Sequence, residues 1–257
     1  MKLSACIEWL FSDATGNFVE RIRLAKKAGL DAVEFWFWSN KDIDAIERAL
    51  AETGMSLSGF VAEPKIALTD PANREVFLLG LATSVQTARR LGAKVLIAQA
   101  GDDLAGRSRE EQRQSLVETL RAAADVLEGS GVRLGLEPLN TLIDHKGYYL
   151  GSTVEGLDIV EAVARPEIGI VYDLYHSAVM GEKTEEVLAG RVGHVIHVHV
   201  ADHPGRNDPG QGGIDLDQRL KWLFANGYSG AVGLEYRPAG STADALPGVR
   251  AALGAAG

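Results

Sequence analysis

Apolar positions along the chain alternate between two rhythms. Short runs rich in Val, Ile and Leu, bounded by Gly or polar residues, are each followed by stretches with apolar residues at helical spacing. The strand-like runs are Leu3–Glu8, Ala32–Trp36, Leu57–Val61, Val95–Gln99, Arg133–Glu137, Ile168–Asp173, Val195–His199 and Ala231–Glu235, eight in all. Between them, Asn17 precedes the helical series Phe18, Ile22, Ala25, and Asp42 precedes Ile43, Ile46, Leu50. Ser108 with Glu111, and Ser152 with Glu155, have the spacing of a capping box, in which hydroxyl and carboxylate each satisfy a free backbone N–H. Gly29, Gly54, Gly92 and Gly227 stand where helices should stop, because glycine accepts the left-handed conformation. The stretches before the sixth strand and between the sixth and seventh carry the least helical signal.

Eight strand–helix units in 257 residues predict a (β/α)₈ TIM barrel forming a single domain over residues 1–257. The rival, a doubly wound open sheet, lacks its usual Gly-rich turn after the first strand, where the chain reads Trp9-Leu-Phe-Ser-Asp-Ala-Thr-Gly16. In a barrel, alternate residues point inward and chemistry collects at the C-terminal strand ends. The fifth and eighth strands both finish Gly-Leu-Glu, which places Gly135 with Glu137, and Gly233 with Glu235, inside. The sixth strand ends in an inward Asp173. In the seventh, Ile196, Val198 and Val200 are expected to face the helices, leaving His197 and His199 inside.

Four consecutive strands thus deliver Glu137, Asp173, His199 and Glu235 to one mouth. Three carboxylates crowded in a partly dry cavity repel one another, and a divalent cation relieves that conflict. Oxygen-rich ligation with one imidazole suits Mg²⁺ or Mn²⁺ best, with Co²⁺ and Zn²⁺ as the other candidates. His197, one layer deeper, is expected to bond a buried partner, and His194 to be structural. His176, on the loop after Asp173, is a candidate substrate ligand. Glu8, Glu34 and Glu63 also fall near early strand ends, with Glu34 leading an aromatic run, Phe35-Trp-Phe-Trp38, that reads mainly as packing. Trp36 and Trp38 suit either the barrel rim or a contact in a homo-oligomer.

Charge and cysteine content remove other classes. Lys plus Arg number 26 against 35 Asp plus Glu, a net charge of −9, which disfavours a nucleic-acid groove. The single cysteine, Cys6, excludes an internal disulfide framework and reads as inert core. The N-terminal stretch has neither a signal-peptide core nor about 20 consecutive apolar residues, so no membrane association and a cytoplasmic location are expected.

At the strand-end residues the sequence resembles the hydroxypyruvate isomerase branch of the xylose isomerase-like sugar isomerase and epimerase barrels. The matching segments are Glu137-Pro-Leu-Asn140, Gly147-Tyr-Tyr-Leu150, Tyr172-Asp-Leu-Tyr-His176, His197-Val-His-Val-Ala-Asp202, Pro204-Gly-Arg206 with Pro209-Gly210, and Leu234-Glu-Tyr-Arg-Pro238. The resemblance implies a metal-assisted isomerase with Glu137, Asp173, His199 and Glu235 as ligands and the two glutamates as the acid/base pair. It further implies substrate contacts from His176 and Arg206, and Asn140 and Lys65 are additional candidates for polar contact. The implied substrate is a small keto acid or sugar, the implied reaction the interconversion of hydroxypyruvate and tartronate semialdehyde. The chain departs from the branch at His199, where some members have Gln, at Gly213, where Glu is common, and over Val61–Lys65. A ketose 3-epimerase is therefore the nearest alternative; an abasic-site endonuclease and a non-catalytic sugar-binding barrel are more remote ones.

Overall fold

The computed structural model describes residues 1–254. Eight parallel strands close in sequence order into a barrel: β1 (Lys2–Cys6), β2 (Ala32–Phe35), β3 (Ser56–Val61), β4 (Val95–Ala98), β5 (Arg133–Leu136), β6 (Ile168–Asp173), β7 (Val195–Val200) and β8 (Ala231–Leu234). Helices α1 (Phe18–Lys27), α2 (Ile43–Thr53), α3 (Arg74–Leu91), α4 (Arg109–Leu127) and α5 (Thr153–Val163) follow the first five strands. Two short helices, α6 (Leu174–Val179) and α7 (Thr184–Val187), lie between β6 and β7; α8 (Leu216–Ala225) and α9 (Thr242–Ala252) complete the ring. Among the described residues no helix is long and apolar enough to cross a membrane.

The local chemistry behind these elements is largely that of the caps. The Asn17 side chain accepts from Val19 and Glu20 N–H, Asp42 accepts from Ala45, and Ser108 forms the full capping box with Glu111. Ser152 forms only half of one. It accepts from Glu155 N–H, but the Glu155 carboxylate turns to Arg109 and to the Tyr149 hydroxyl, because an ion pair to α4 is within its reach. Helix α5 ends on Ala164 in the left-handed region (φ 55°), so the usual glycine stop signal is missing there.

The largest apolar layer lies between sheet and helices and includes Leu134, Leu136, Ile170, Val198, Val200, Val232 and Leu234. A smaller cluster of Val61, Val95, Ile97 and Val171 fills the barrel interior, with Ile196 packed against it. Ile196 corrects the expectation of a simple alternation in β7. The β6–β7 register runs Ile170 to Val195 and then Val171 to His197, so one extra residue is accommodated and Ile196 turns inward. Gly135 and Gly169 make room for it: a Cβ on Gly169 would lie 2.4 Å from Ile196 Cγ2, and one on Gly135 2.6 Å from Val171 Cγ2. Above this floor the interior is polar, and the site begins there.

Candidate active site

Glu137 follows β5 by one residue, Asp173 ends β6, His199 lies near the end of β7 and Glu235 follows β8 by one residue. One ligating atom from each falls within 4.8 Å of the others, and all four side chains are buried. His199 Nδ1 is 2.9 Å from Glu137 Oε1 and 3.7 Å from Glu235 Oε2. The cluster opens into a cavity of about 300 Å³ at the C-terminal end of the barrel.

Burial pushes the Glu137 carboxyl above its ordinary range; the neighbouring Glu235 and Asp173 add to this, against the pull of His199. Burial works against a charged His199, yet Glu235, Glu34 and Glu137 outweigh it and hold the imidazole well above its ordinary value. Arg206 supplies the other compensating charge. It is desolvated, but Glu235, Asp173 and Glu137 keep it firmly protonated, with Nη2 at 2.5 Å from Glu235 Oε2 and 3.6 Å from Asp173 Oδ2. Protonated His199 and Arg206 thus offset the charge of Glu137, Asp173 and Glu235, and the donor set, three carboxylates with the one imidazole in its neutral form, has the composition that fits a hard divalent ion. Arg206 lines the cavity, with Nη2 held by the carboxylates and its guanidinium over the Trp9 and Tyr175 rings at 5.2 and 5.5 Å.

Glu34, read from the sequence as part of an aromatic run, stands directly beneath the cluster. Its carboxylate lies 3.0 Å from His197 Nε2 and 3.2 Å from His199 Nε2, and accepts the Ser58 hydroxyl at 2.8 Å. Burial raises its proton affinity, but the two imidazoles overcome this and hold the carboxyl far below its usual range. His197 therefore has the buried partner expected of it. With Nε2 of His199 facing Glu34, Nδ1 is the nitrogen turned to the cluster, the orientation a ligating histidine takes when a carboxylate holds its other ring N–H. Gly233 makes the arrangement fit, because a Cβ there would lie 2.4 Å from Glu34 Oε1 and 2.6 Å from His199 Cδ2. Glu34 could have been found in the sequence from its inward alternation next to the end of β2.

His176 lies on helix α6 rather than on a loop. Asp173 caps that helix, with Oδ1 accepting from Tyr175 N–H at 2.8 Å and His176 N–H at 3.1 Å, which leaves Oδ2 for the cluster. The Asn140 backbone N–H donates to His176 Nδ1 at 3.2 Å, and its side-chain amide lies 2.6 Å from the same nitrogen. The ring proton is thereby placed on Nε2, which is buried and without a hydrogen-bond partner. Burial first, and then Arg206, holds His176 well below its ordinary value, so it presents a neutral N–H. Asn140 itself is fully buried and occupied with His176 and Asp144, so it acts through His176 rather than on a ligand.

The rim is aromatic on one side and cationic on the other. Trp36 meets Trp9 edge-on at 5.0 Å and donates its indole N–H to Glu235 Oε1 at 2.7 Å. Glu8 and Glu63 stay outside the cluster and accept the backbone N–H groups of Trp36 and Trp38. Lys65 and Arg237 line the cavity, as do Gln99 and His145, which the sequence reading did not single out. Cys6 also faces the cavity, its thiol pushed well up by burial and so held protonated.

Residues 22–253 match the family model described as xylose isomerase-like TIM barrel. Hydroxypyruvate isomerase of Escherichia coli (strain K12) is 30% identical over 249 residues, covering 94% of this chain and 95% of the relative. The 2-oxo-tetronate isomerase of Pectobacterium atrosepticum is 26% identical, covering 95% of each. A crystal structure titled AP endonuclease, family 2, from Brucella melitensis superposes with a TM-score of 0.89 at 29% identity, covering 95% of this chain and 96% of that one.

Proposed function

Because the chain belongs to the xylose isomerase-like TIM-barrel family and stands among its hydroxypyruvate isomerases, we propose that this isomerase interconverts hydroxypyruvate and tartronate semialdehyde, or a closely related small keto acid, through an enediolate. The carrying observation is the convergence of Glu137, Asp173, His199 and Glu235 within 4.8 Å. These four residues would hold a divalent cation, Mg²⁺ or Mn²⁺ by donor chemistry. Bound there, the cation would stabilise the negative charge that develops on the substrate oxygens.

The protein groups carry the proton traffic. In hydroxypyruvate a proton leaves C3 and one is delivered to C2, while the hydroxyl proton on O3 is lost and O2 gains one. Glu137, after β5, and Glu235, after β8, exchange the carbon-bound protons; burial raises the proton affinity of Glu137 toward that of an effective general base. Glu235 is positioned by Arg206 and the Trp36 indole. His176 offers Nε2–H to a substrate oxygen, and Trp9, Trp36 and Phe37 exclude water from the reacting carbons.

The test is incubation with hydroxypyruvate and Mn²⁺ in D₂O, followed by NMR, beside a panel of ketoses. Deuterium entry at C2 of the semialdehyde formed, and at C3 of the recovered hydroxypyruvate, is expected; no exchange with hydroxypyruvate overturns the proposal, and epimerised ketose would replace it by the epimerase reading. The net charge of −9 opposes the DNA-repair chemistry that the name of the Brucella melitensis protein suggests, since a duplex would have to be held against an excess of negative charge.

Asn140→Ala is expected to lower kcat/KM by about 5–10-fold, the value of one neutral hydrogen bond. The backbone N–H of residue 140 still donates to Nδ1, so the tautomer is kept, but the shorter side-chain hydrogen bond that fixes the ring is lost. An unchanged kcat/KM in a folded variant would remove the Asn140 side chain from the positioning of His176.

A further inference from the structure

Between β7 and α8, residues 201–215 form neither helix nor strand, yet this loop carries Arg206, one of the two cations that offset the cluster. A segment without regular structure has many backbone conformations to lose before it can place a guanidinium. Arg206 itself sits in the left-handed region (φ 56°), which is costly for a residue with a Cβ. Something must therefore hold the loop in this one shape.

That hold is the Asp202 carboxylate. Asp202 is buried, and its side chain bonds to backbone N–H groups of its own loop. Oδ1 accepts from His203 at 2.8 Å and from Ile214 at 3.0 Å, while Oδ2 accepts from Gly210 and Gly212, both at 2.9 Å. These four donors lie on both flanks of Arg206, so one carboxylate gathers the whole loop. Backbone bonds between Asp202 and Asn207, one in each direction at 2.9 and 3.2 Å, close the turn that contains Arg206. The Arg206 carbonyl then accepts from Arg237 N–H at 2.8 Å, two residues beyond Glu235. Gly212 permits the close approach, because a Cβ there would lie 2.5 Å from Asp202 Oδ1 and 2.3 Å from the His203 carbonyl oxygen. Asp202 itself lines neither the cavity nor the cluster.

We infer that Asp202 is the positioning residue for Arg206, its carboxylate shaping the loop so that Nη2 reaches Glu235 and Asp173. This rests on the isomerase reading of that cluster. Asp202 touches no reacting atom, so its effect on turnover passes through the guanidinium.

The test combines Asp202→Asn with Arg206→Met in the Mn²⁺-loaded protein. The amide keeps the side chain's shape but turns an NH₂ group toward two backbone donors, and those two hydrogen bonds are lost. Weakening the hold to that extent should lower kcat for hydroxypyruvate by about 10–100-fold. Trypsin should also cut after Arg206 roughly tenfold faster or more, read by mass spectrometry, because cleavage follows the opened fraction of the loop. Gly212→Ala presses on the same carboxylate without changing its charge, so it should move both readouts the same way, and it decides if Asp202→Asn does not fold. Added to Arg206→Met, Asp202→Asn should lower kcat by no more than about twofold further, since the group it positions is already gone. Losses that multiply in the double variant, or unchanged kcat and cleavage in a folded single variant, overturn the inference. Absence of deuterium exchange into hydroxypyruvate by the unsubstituted protein removes the isomerase reading instead, and the cleavage rate after Arg206 then decides the hold by itself.

Discussion

Replacing Glu137 by Gln is expected to lower kcat by about 10²–10⁴-fold while leaving the barrel as stable as before, or more so. The two effects have one cause. Burial beside Glu235 and Asp173 makes the Glu137 carboxylate costly to keep charged. That cost gives the residue the proton affinity a base needs, and it disappears when an amide takes the carboxylate's place. The amide oxygen can still accept from His199 Nδ1, which now lies 2.9 Å from Glu137 Oε1. Thermal unfolding should therefore shift upward, by roughly 2–4 °C for each 1 kcal/mol recovered. Activity within tenfold of the unsubstituted protein, in a variant that unfolds cooperatively, would remove Glu137 from the proton transfer.

Glu34→Gln should act from beneath. The exchange conserves shape, so the 2.8 Å contact with Ser58 and the fit over Gly233 are retained and only the charge is lost. Both His197 Nε2 and His199 Nε2 then face a neutral amide. Removing one partner of a buried ion pair costs about 3–5 kcal/mol, and urea denaturation of the metal-free protein should read a loss of that order. Mn²⁺ affinity should fall by about 10–100-fold, as when a carboxylate that orients a ligating imidazole is lost. The two measurements separate the roles: a drop in stability with unchanged Mn²⁺ affinity would make Glu34 a structural partner of the histidines and nothing more. Ser58→Ala provides the control, since it touches the same carboxylate and should affect metal affinity far less.

Much of the architecture follows from short-range patterns. The eight strand runs, the caps at Asn17, Asp42 and Ser108, and the stops at Gly54 and Gly92 are each fixed by a few neighbouring residues, and each is present in the barrel. The strand-end residues Glu137, Asp173, His199 and Glu235 were legible for the same reason: alternation within one strand sets the inward face, and parallel order around a closed barrel brings consecutive strand ends together. Where one strand's alternation depends on its neighbour, the pattern failed. Ile196 turned inward because the β6–β7 register accommodates an extra residue, and that depends on the space left by Gly135 and Gly169 on other strands.

From the sequence by itself came the barrel, the inward carboxylates and imidazole, and the family, because these depend on period, on local caps and on short motifs. Only the tertiary structure decided what those groups touch. Glu34 is 163 residues from His197 along the chain, Trp36 is 199 from Glu235, and Arg206 reaches back to Asp173 from a loop beyond β7. Such contacts are set by the closure of the barrel and by which side chains fill its polar interior. A charge buried there must find a partner wherever the fold brings one, and no local rule of spacing encodes that choice.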